Sequence, residues 1–246
     1  MQRFSRTKLL LGDERFLRLN KSHIAVIGLG AVGGYALEGL ARAGVGRLTI
    51  VDFDVIQDTN INRQILALES TLGMSKVAVA EDRVLDINPH CQIDALDRFI
   101  DDVSIEEILQ TGPDIVVDAI DSLNPKVQLL KAAHRRSIPT FSSMGAALRT
   151  DPAHIKVSDI SKTKNCPLAR RIRQRLKKEG VHTGITCVYS TEPVDFEYPP
   201  PSEHEQKSGP SALGRGRRTL GSLPTLTAVF GLTLANEVIR FVAKKL

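Results

Sequence analysis

Three glycines near the start of the chain have the spacing of a phosphate-binding turn. Gly28, Gly30 and Gly33 form a G-x-G-x-x-G at the end of a β-branched run over residues 23–28. In such a turn the first glycine permits a tight bend, the second lets the backbone approach a phosphate, and the third lets the next helix pack on the strand. Asp52 follows about twenty residues later, where a carboxylate can accept hydrogen bonds from ribose hydroxyls. These residues predict a nucleotide site that would suit either NAD or ATP.

The polar residues that follow favour ATP over NAD. Asp54, Asn60, Arg63 and Gln64 come soon after the ribose acid, and Lys76 begins the next helical pattern. NAD has no need of an arginine and a lysine beyond its ribose acid. ATP carries most of its charge on the β- and γ-phosphates, and the pyrophosphate must be stabilised as it leaves. We therefore predict an ATP site that includes these five residues.

Two further carboxylates, Asp118 and Asp121, end a buried strand in the segment PDIVVDAIDS. The carboxyl ends of parallel strands meet at one edge of a sheet, so we expect these acids on the same edge as the glycine turn. Mg²⁺ prefers oxygen ligands that it shares with phosphates. One of the two acids is therefore a candidate Mg²⁺ ligand.

The elements that must position these residues alternate between strands and helices. A second β-branched run covers residues 47–52, and helices are predicted from near Ala31, over 75–89 and over 124–137. Further strands are predicted in CQIDALDRF, PDIVVDAIDS and PTFSSMGAA, with a short helix in IEEILQTG. This alternation is typical of an α/β fold: a doubly wound, Rossmann-like, mostly parallel sheet with helices on both faces.

The pattern changes in the second half of the chain. DPAHIKVSDISKTK is predicted to be extended, CPLARRIRQRLKKEG to be a basic helix, GITCVYSTEPV a strand, and the end of the chain one long helix. The segment near 195–220 is dense in Pro, Ser, Gly and charge, which predicts a flexible loop. We expect a single domain over 1–246, in which an ATP-binding half (1–150) is followed by an acceptor-side half (151–246) that completes the sheet.

Composition narrows the class of protein. The net charge of +5 makes an anionic partner plausible. Cys91, Cys166 and Cys187 lie far apart with no C-x-x-C, which excludes a four-cysteine zinc site and indicates a reducing compartment. The opening MQRFSRTKLLLGDERF does not have the pattern of a signal peptide, and polar residues interrupt the apolar segment over 223–246. We expect that segment to be a buried or amphipathic helix rather than a membrane span, and the protein to be cytoplasmic.

Five ordered motifs resemble the adenylating superfamily that includes ubiquitin-activating enzymes and the thiamine- and molybdopterin-pathway adenylyltransferases. These motifs are G-x-G-x-x-G, D-F-D, N-x-x-R-Q, G-x-x-K and D-x-x-D-S, and the match covers roughly residues 3–150. The resemblance implies that a substrate carboxylate attacks the α-phosphate of ATP and gives an acyl-adenylate and pyrophosphate. It also implies these roles: Asp52 binds ribose, Asn60, Arg63 and Lys76 contact phosphates, and Asp121 binds Mg²⁺.

The first residues resemble another motif of the same superfamily. Arg3-Phe4-Ser5-Arg6 matches R-[FY]-x-R, in which the second arginine reaches the ATP of the neighbouring subunit. The resemblance implies a homodimer with Arg6 acting in trans, beside Arg63, Lys76 and Asp121 in the catalytic set. An ordinary solvated arginine is the alternative for Arg6.

The second half is similar to the tRNA threonylcarbamoyladenosine dehydratases. The similar stretches are FSSMGAALRTDPAHIKVSDISKTKNCPLARRIRQRLKKEG, CVYSTEP and LGSLPTLTAVFGLTLANEVI. The resemblance implies that ATP activates the carboxylate of the threonylcarbamoyl group next to the anticodon, after which a ureido nitrogen closes a ring with net loss of water. Such a closure needs no enzyme thiol, so we expect Cys187 to be a core residue. Cys166 departs from the family, which more often has an acid before Pro-Leu.

The placement of basic residues favours a tRNA substrate. Clusters of Arg and Lys on one helix and on the loop are what a polyanion requires, although a solvated helix face is the alternative. The predicted tRNA contacts are Arg170, Arg171, Arg173, Arg175, Lys177 and Lys178 on the helix, and Arg215, Arg217 and Arg218 on the loop.

Two other functions stay open at this point. One is an adenylyltransferase that activates the C-terminal glycine of a ubiquitin-like or sulfur-carrier protein, although such enzymes usually carry two C-x-x-C pairs that this chain lacks. The other is an NAD-binding oxidoreductase or a nucleotide sensor. Release of pyrophosphate from ATP would exclude the oxidoreductase and the sensor. The identity of the acceptor, tRNA or a carrier protein, would separate the dehydratase from the adenylyltransferase.

Overall fold

The computed structural model describes residues 2–194 and 220–244, which form one sheet flanked by helices. The seven strands of the described chain lie in the order β3-β2-β1-β4-β5-β7-β6, and every neighbouring pair is parallel except β6 with β7. The strands are β1 (His23–Ile27), β2 (Arg47–Asp52), β3 (Gln92–Asp97), β4 (Ile115–Asp118), β5 (Thr140–Ser143), β6 (Ile155–Asp159) and β7 (Ile185–Ser190).

The strand order reverses at β1. Strands β2 and β3 follow on one side of β1, and the chain then crosses over so that β4 lies on the other side. Ligands of doubly wound sheets bind in the crevice outside the carboxyl ends of the strands at such a point. The predicted fold class is confirmed, and β6 and β7 from the second half complete the sheet as expected.

Helices cover both faces of the sheet. They are α1 (Ser5–Leu11), α2 (Asp13–Lys21), α3 (Gly33–Ala43), α4 (Lys76–Ile87), α5 (Asp102–Gln110), α6 (Leu123–Arg135), α7 (Pro167–Lys178) and α8 (Pro224–Lys244). Helix α3 begins two residues later than predicted, because residues 28–32 form the glycine turn. Helix α6 ends before residue 137, since Ser137 has a left-handed φ of 55° that stops the helix.

Two apolar layers sandwich the sheet, as the alternation of side chains along a strand requires. Ile24 and Val26 of β1 enter the layer that contains α3, α4 and α8, whereas Ala25 and Ile27 enter the layer that contains α5 and α6. Burial of β1 on both faces explains why its sequence is apolar without interruption.

Helix α8 is the predicted C-terminal helix, and it belongs to the core. By length and composition it is the one helix of the described residues that could cross a membrane, yet half of its most apolar window is buried inside the protein. It packs closely on α3: a methyl group on Gly231 would lie 2.3 Å from the carbonyl oxygen of Val32, and one on Gly39 would lie 2.8 Å from Cβ of Ala235. Two glycines therefore allow this helix pair to approach.

Gly231→Ala should lower the free energy of unfolding by about 1–3 kcal/mol, because overpacking outweighs the gain in helix propensity of about 1 kcal/mol. The added methyl group would also lie 2.8 Å from Cβ of Tyr35, so α3 and α8 would have to separate. Urea unfolding followed by circular dichroism measures the change. Gly221→Ala is the control, since its methyl group meets nothing closer than 4.0 Å. A Gly231→Ala protein as stable as the parent would contradict this packing.

Candidate active site

The glycine turn lies against the end of β4. Gly28 has a φ of +90°, which favours glycine, and a Cβ there would lie 3.0 Å from the carbonyl oxygen of Ala119. A Cβ on Gly33 would lie 1.7 Å from the carbonyl oxygen of Gly28, so only glycine allows α3 to start so close to the turn. A Cβ on Gly30 would lie 4.0 Å from its nearest neighbour, Nε2 of Gln64. The turn therefore has one open position, at the glycine expected to face a phosphate.

The N-terminus of α3 faces the same turn. Its N-cap residue, Val32, provides no side-chain hydrogen bond to the first turn of the helix. Backbone N–H groups at an uncapped helix start carry a partial positive charge that suits an anion. The turn and the helix together form a cradle that fits a phosphate group.

Asp52 fixes the geometry of this cradle. It ends β2, and its Oδ2 accepts a hydrogen bond of 2.7 Å from the backbone N–H of Leu29, inside the glycine turn. Its Oδ1 accepts a hydrogen bond of 2.9 Å from the N–H of Asp54. Each carboxylate oxygen keeps a lone pair, so the group can still accept from ribose hydroxyls while it holds the turn.

Lys76 lies between two carboxylates. Its Nζ is 2.8 Å from Oδ2 of Asp54 and 3.9 Å from Oδ1 of Asp52, and its side chain is almost fully buried. An ammonium group in such a position is compensated and held close to the turn. Asp52 and Asp54 of the D-F-D motif thus meet Lys76 of the G-x-x-K motif in one cluster, which we call the nucleotide cluster.

Gln64 has a polar atom with no partner in the described chain. The residue is buried, its Nε2 lies closest to the open position at Gly30, and its Oε1 has no hydrogen-bond partner. A buried polar atom without a partner carries a free-energy cost that a ligand can remove. The amide can offer the ligand either its oxygen as an acceptor or its nitrogen as a donor. The observation fits a nucleotide beside the glycine turn.

Asn60 and Arg63 lie in the crossover between β2 and α4. The Oδ1 of Asn60 accepts a hydrogen bond of 3.2 Å from the N–H of Gln57, which closes the turn. Arg63 donates from Nη1 to the carbonyl oxygen of Thr59 and to Oδ1 of Asn62, each at 2.8 Å. These contacts hold Arg63 within its own turn and not on the nucleotide cluster.

Arg63 lines a cleft of about 380 Å³, which is large enough for part of a nucleoside. One wall is the crossover turn and the other is the segment that leads into α8. The lining residues are Asp58, Thr59, Asn62, Arg63, Leu220, Gly221 and Ser222.

The two acids after β4 have different environments. Asp118 is fully buried and pairs with Lys126 at 2.7 Å, so it is not available to a metal ion. Asp121 is exposed, and Oγ of Ser122 donates to its Oδ1 at 3.4 Å. No group of three or more metal-ligating side chains occurs within residues 2–194 and 220–244. A Mg²⁺ ion on Asp121 would therefore share phosphate oxygens, as this ion prefers.

Arg6 follows a residue that is anchored at the end of α3 opposite the glycine turn. Phe4 is buried against Phe16, at 6.0 Å between ring centroids, and both rings approach Gly44 at the C-terminal end of α3. The eleven residues of α3 separate that end from the glycine turn by about 16 Å. Arg6 is exposed on α1, two residues beyond the Phe4 anchor.

The basic residues of α7 divide into two groups. Arg170, Arg171, Lys177 and Lys178 are exposed, and exposed Arg175 donates to Oδ1 of Asn124. Arg173 is partly buried and donates to the carbonyl oxygens of Ile160 and Thr163, at 3.3 and 3.1 Å. The basic run predicts that Arg173 contacts tRNA, but the structure uses this residue to tie α7 to the preceding turn. Arg215, Arg217 and Arg218 and most of the loop predicted near 195–220 lie outside the described residues.

All three cysteines are buried. Burial raises the pKa of Cys91 to about 12 and raises the pKa of Cys187 as well, so both stay thiols at neutral pH. The expectation that Cys187 is a core residue is confirmed. Cys166 caps α7 through its sulfur, which accepts a hydrogen bond of 3.5 Å from the N–H of Ala169. The residue that departs from the family resemblance in the sequence is thus the N-cap of α7.

Two buried cations, Lys126 and Arg149, belong to none of the sequence motifs. Lys126 lies on the apolar face of α6, one turn before Leu130 and two before Ala133, so helical periodicity could have indicated its burial. Arg149 is buried and donates to the carbonyl oxygens of Asn165 and Glu192. It follows β5 with no periodic pattern that would have revealed this.

Comparison with known proteins agrees with this geometry. The model of the ThiF family matches residues 4–245. A tRNA threonylcarbamoyladenosine dehydratase of Bacillus subtilis is 44% identical over 192 residues, which cover 78% of this chain and 76% of that protein. The dehydratase of Escherichia coli is 34% identical over 97% of this chain and 92% of its own.

A solved structure is similar over almost the same extent. The crystal structure of the E. coli dehydratase TcdA in complex with ATP has a TM-score of 0.85 and 33% identity, and the match covers 98% of this chain and 93% of that one. The likeness includes the second half of the chain as well as the glycine turn, which confirms the resemblance found in the sequence. The chain belongs to the ThiF family.

Proposed function

We propose that the protein is an ATP-dependent enzyme that dehydrates threonylcarbamoyladenosine in tRNA to its cyclic form. The observation that carries the proposal is the likeness, over 98% of the chain, to a dehydratase that was crystallised with ATP. The cradle at the glycine turn and the unpartnered amide of Gln64 support a nucleotide at the same place.

The residues of the site have separable tasks in this proposal. The glycine turn and the start of α3 bind phosphate oxygens, and Asp52 orients the ribose while it holds the turn at Leu29. Asn60, Arg63 and Gln64 complete the binding site from the crossover. When bound, ATP makes the oxygen of the substrate carboxylate a leaving group. Lys76 stabilises the negative charge of pyrophosphate as it departs, since its ammonium group is already held beside the turn.

Ring closure requires little further help from side chains. The ureido nitrogen and the carbonyl carbon belong to one side chain of the substrate, so the reaction is intramolecular and gains from proximity. A thiol nucleophile is unnecessary. The buried Cys187, whose pKa is raised by burial, is also poorly suited to that role.

The direct test incubates the protein with ATP, Mg²⁺ and tRNA that carries threonylcarbamoyladenosine. We expect AMP, pyrophosphate and the cyclic nucleoside, the last identified by mass spectrometry.

Lys76→Ala should lower turnover much more than ATP affinity, because Lys76 acts on the leaving group. Calorimetry should detect binding of ATP and not of NAD. Pyrophosphate release that depends on a protein ending in Gly-Gly, rather than on tRNA, would instead establish the carrier-protein adenylyltransferase.

We further propose a homodimer in which Arg6 completes the site of the neighbouring subunit. The support is the position of Arg6 beside an anchor at the far end of α3, about 16 Å from the glycine turn of its own chain. Asp121 is the proposed Mg²⁺ ligand of each site. An acceptor of the tRNA class also implies a cytoplasmic enzyme.

Mixing of two inactive variants tests this arrangement. Arg6→Ala and Asp121→Ala subunits should each be inactive alone, and mixed dimers should regain part of the parent activity because one of their two sites is intact. If Arg6 acted within its own chain, neither site would be intact. Absence of recovery after subunit exchange has been demonstrated would therefore refute the trans role.

The exposed basic residues of α7 are the proposed tRNA surface in the described chain. Arg170, Arg171 and Lys177 present positive charge to solvent, while the hydrogen bonds of the partly buried Arg173 fix the helix to the turn before it. Phosphate contacts of this kind orient a nucleic acid without reading its sequence. Arg175, Lys178 and the arginines at 215, 217 and 218 extend the same proposal.

Replacement of Arg170, Arg171 and Lys177 by Gln should weaken tRNA binding and reduce its logarithmic salt dependence by about one unit per phosphate that the helix no longer neutralises. Affinity for ATP should not change. Arg173→Gln is the matched control: it should lower stability to urea and leave the salt dependence nearly as in the parent. A triple variant with the salt dependence of the parent would mean that this face is merely solvated.

A further inference from the structure

A buried charge pair lies beneath the end of β4. The side chains of Lys126 and Asp118 have no exposed surface, and Nζ lies 2.7 Å from Oδ2 of the acid. Oγ of Ser142, on the neighbouring strand β5, donates to the same Oδ2 at 2.6 Å. None of these groups belongs to the nucleotide cluster, so the site described above does not account for them.

The pair forms hydrogen bonds with both backbone polar groups of Ile120. Oδ1 of Asp118 accepts a hydrogen bond of 3.1 Å from the N–H of Ile120, and Nζ of Lys126 donates to the carbonyl oxygen of Ile120 at 2.9 Å. Both polar groups of that residue are therefore held by buried, charged partners. Hydrogen bonds to charged groups are stronger and more directional than neutral ones.

Ile120 lies between two residues of the proposed site, Ala119 and Asp121. Ala119 forms the wall against which the glycine turn packs, 3.0 Å from the Cβ position of Gly28 and 3.2 Å from that of Gly33. Asp121 follows Ile120 and is the proposed Mg²⁺ ligand. A shift of Ile120 would displace the floor of the nucleotide site and the metal ligand together.

A contribution to stability alone does not explain this arrangement. Removing two charges from water is costly, and apolar residues of similar volume often replace a buried ion pair with little loss of stability. An apolar pair would, however, leave the carbonyl oxygen of Ile120 without its donor. The specific result of the charges is a fixed position for residues 119–121.

We propose that Lys126 is a positioning residue that, through Ile120, holds Asp121 at the place where Mg²⁺ bound to the nucleotide meets the protein. The proposal rests on the proposed function, because it assumes an ATP site with Mg²⁺ at Asp121. Partners behind a metal ligand typically change metal affinity by about 10–100-fold when they are removed.

Two neutral double variants separate the hydrogen bond from the charge. Asp118→Asn with Lys126→Met removes the charges and the donor to Ile120, whereas Asp118→Asn with Lys126→Gln removes the charges and keeps an amide donor. The probe is α,β-methylene-ATP, which cannot release pyrophosphate, titrated by calorimetry with and without Mg²⁺. Urea unfolding verifies that each variant is folded.

The methionine variant should need about 10–100-fold more Mg²⁺ for half-maximal enhancement of binding than the parent. The glutamine variant should stay within about threefold of the parent, because the donor is retained. Parent-like Mg²⁺ dependence in the folded methionine variant would overturn the proposal, as would an equal effect in both variants. A parent that does not bind the analogue would instead overturn the ATP site.

Hydrogen exchange provides a test that does not depend on folding of the methionine variant. The amide of Ile120 should exchange slowly in the parent and in the glutamine variant without nucleotide, because its hydrogen bond to residue 118 exists before the nucleotide binds. Exchange of this amide at the rate of an unprotected peptide in the parent would overturn the proposal.

Discussion

The contact between the glycine turn and the end of β4 is the constraint on which the rest of the site depends. A Cβ on Gly33 would lie 1.7 Å from the carbonyl oxygen of Gly28, and one on Gly28 would lie 3.0 Å from that of Ala119. Two segments distant in sequence, the glycine turn with the start of α3 and the end of β4, thus meet with no room for a side chain. The start of α3, the proposed phosphate cradle and the approach to Asp121 take their positions from this contact.

The surroundings of the contact keep it in place from both faces of the sheet. Above it, α8 lies on α3 at Gly231 and Gly39, so the last helix of the chain determines how the first nucleotide-binding helix sits. Below it, Lys126 and Asp118 hold Ile120. Helix α8, from the second half of the chain, therefore supports the helix that follows the glycine turn.

The second half of the chain is held by another set of polar contacts, centred on the buried Arg149. Arg149 donates to carbonyl oxygens in the segments before α7 and after β7, and the N–H of Leu148 donates to the carbonyl oxygen of Gly221 at 2.9 Å. The proposed tRNA helix, the end of β7 and the cleft beside Arg63 are thereby linked to the carboxyl edge of the sheet. In the proposed function, that edge brings the modified base toward the nucleotide.

The sequence by itself determined the alternation of strands and helices, the glycine turn and the acid that ends β2, because these follow from local periodicity and from backbone rules that act within a few residues. The tertiary structure decided which charges are buried. Asp118 and Asp121 look alike in DAIDS, yet one is neutralised by Lys126 and the other is exposed. Arg171 and Arg173 belong to the same basic run, yet Arg173 is partly buried and donates hydrogen bonds to backbone carbonyl oxygens of the preceding turn. Burial of a charge depends on partners brought from distant segments, and those partners have no signature in the local sequence.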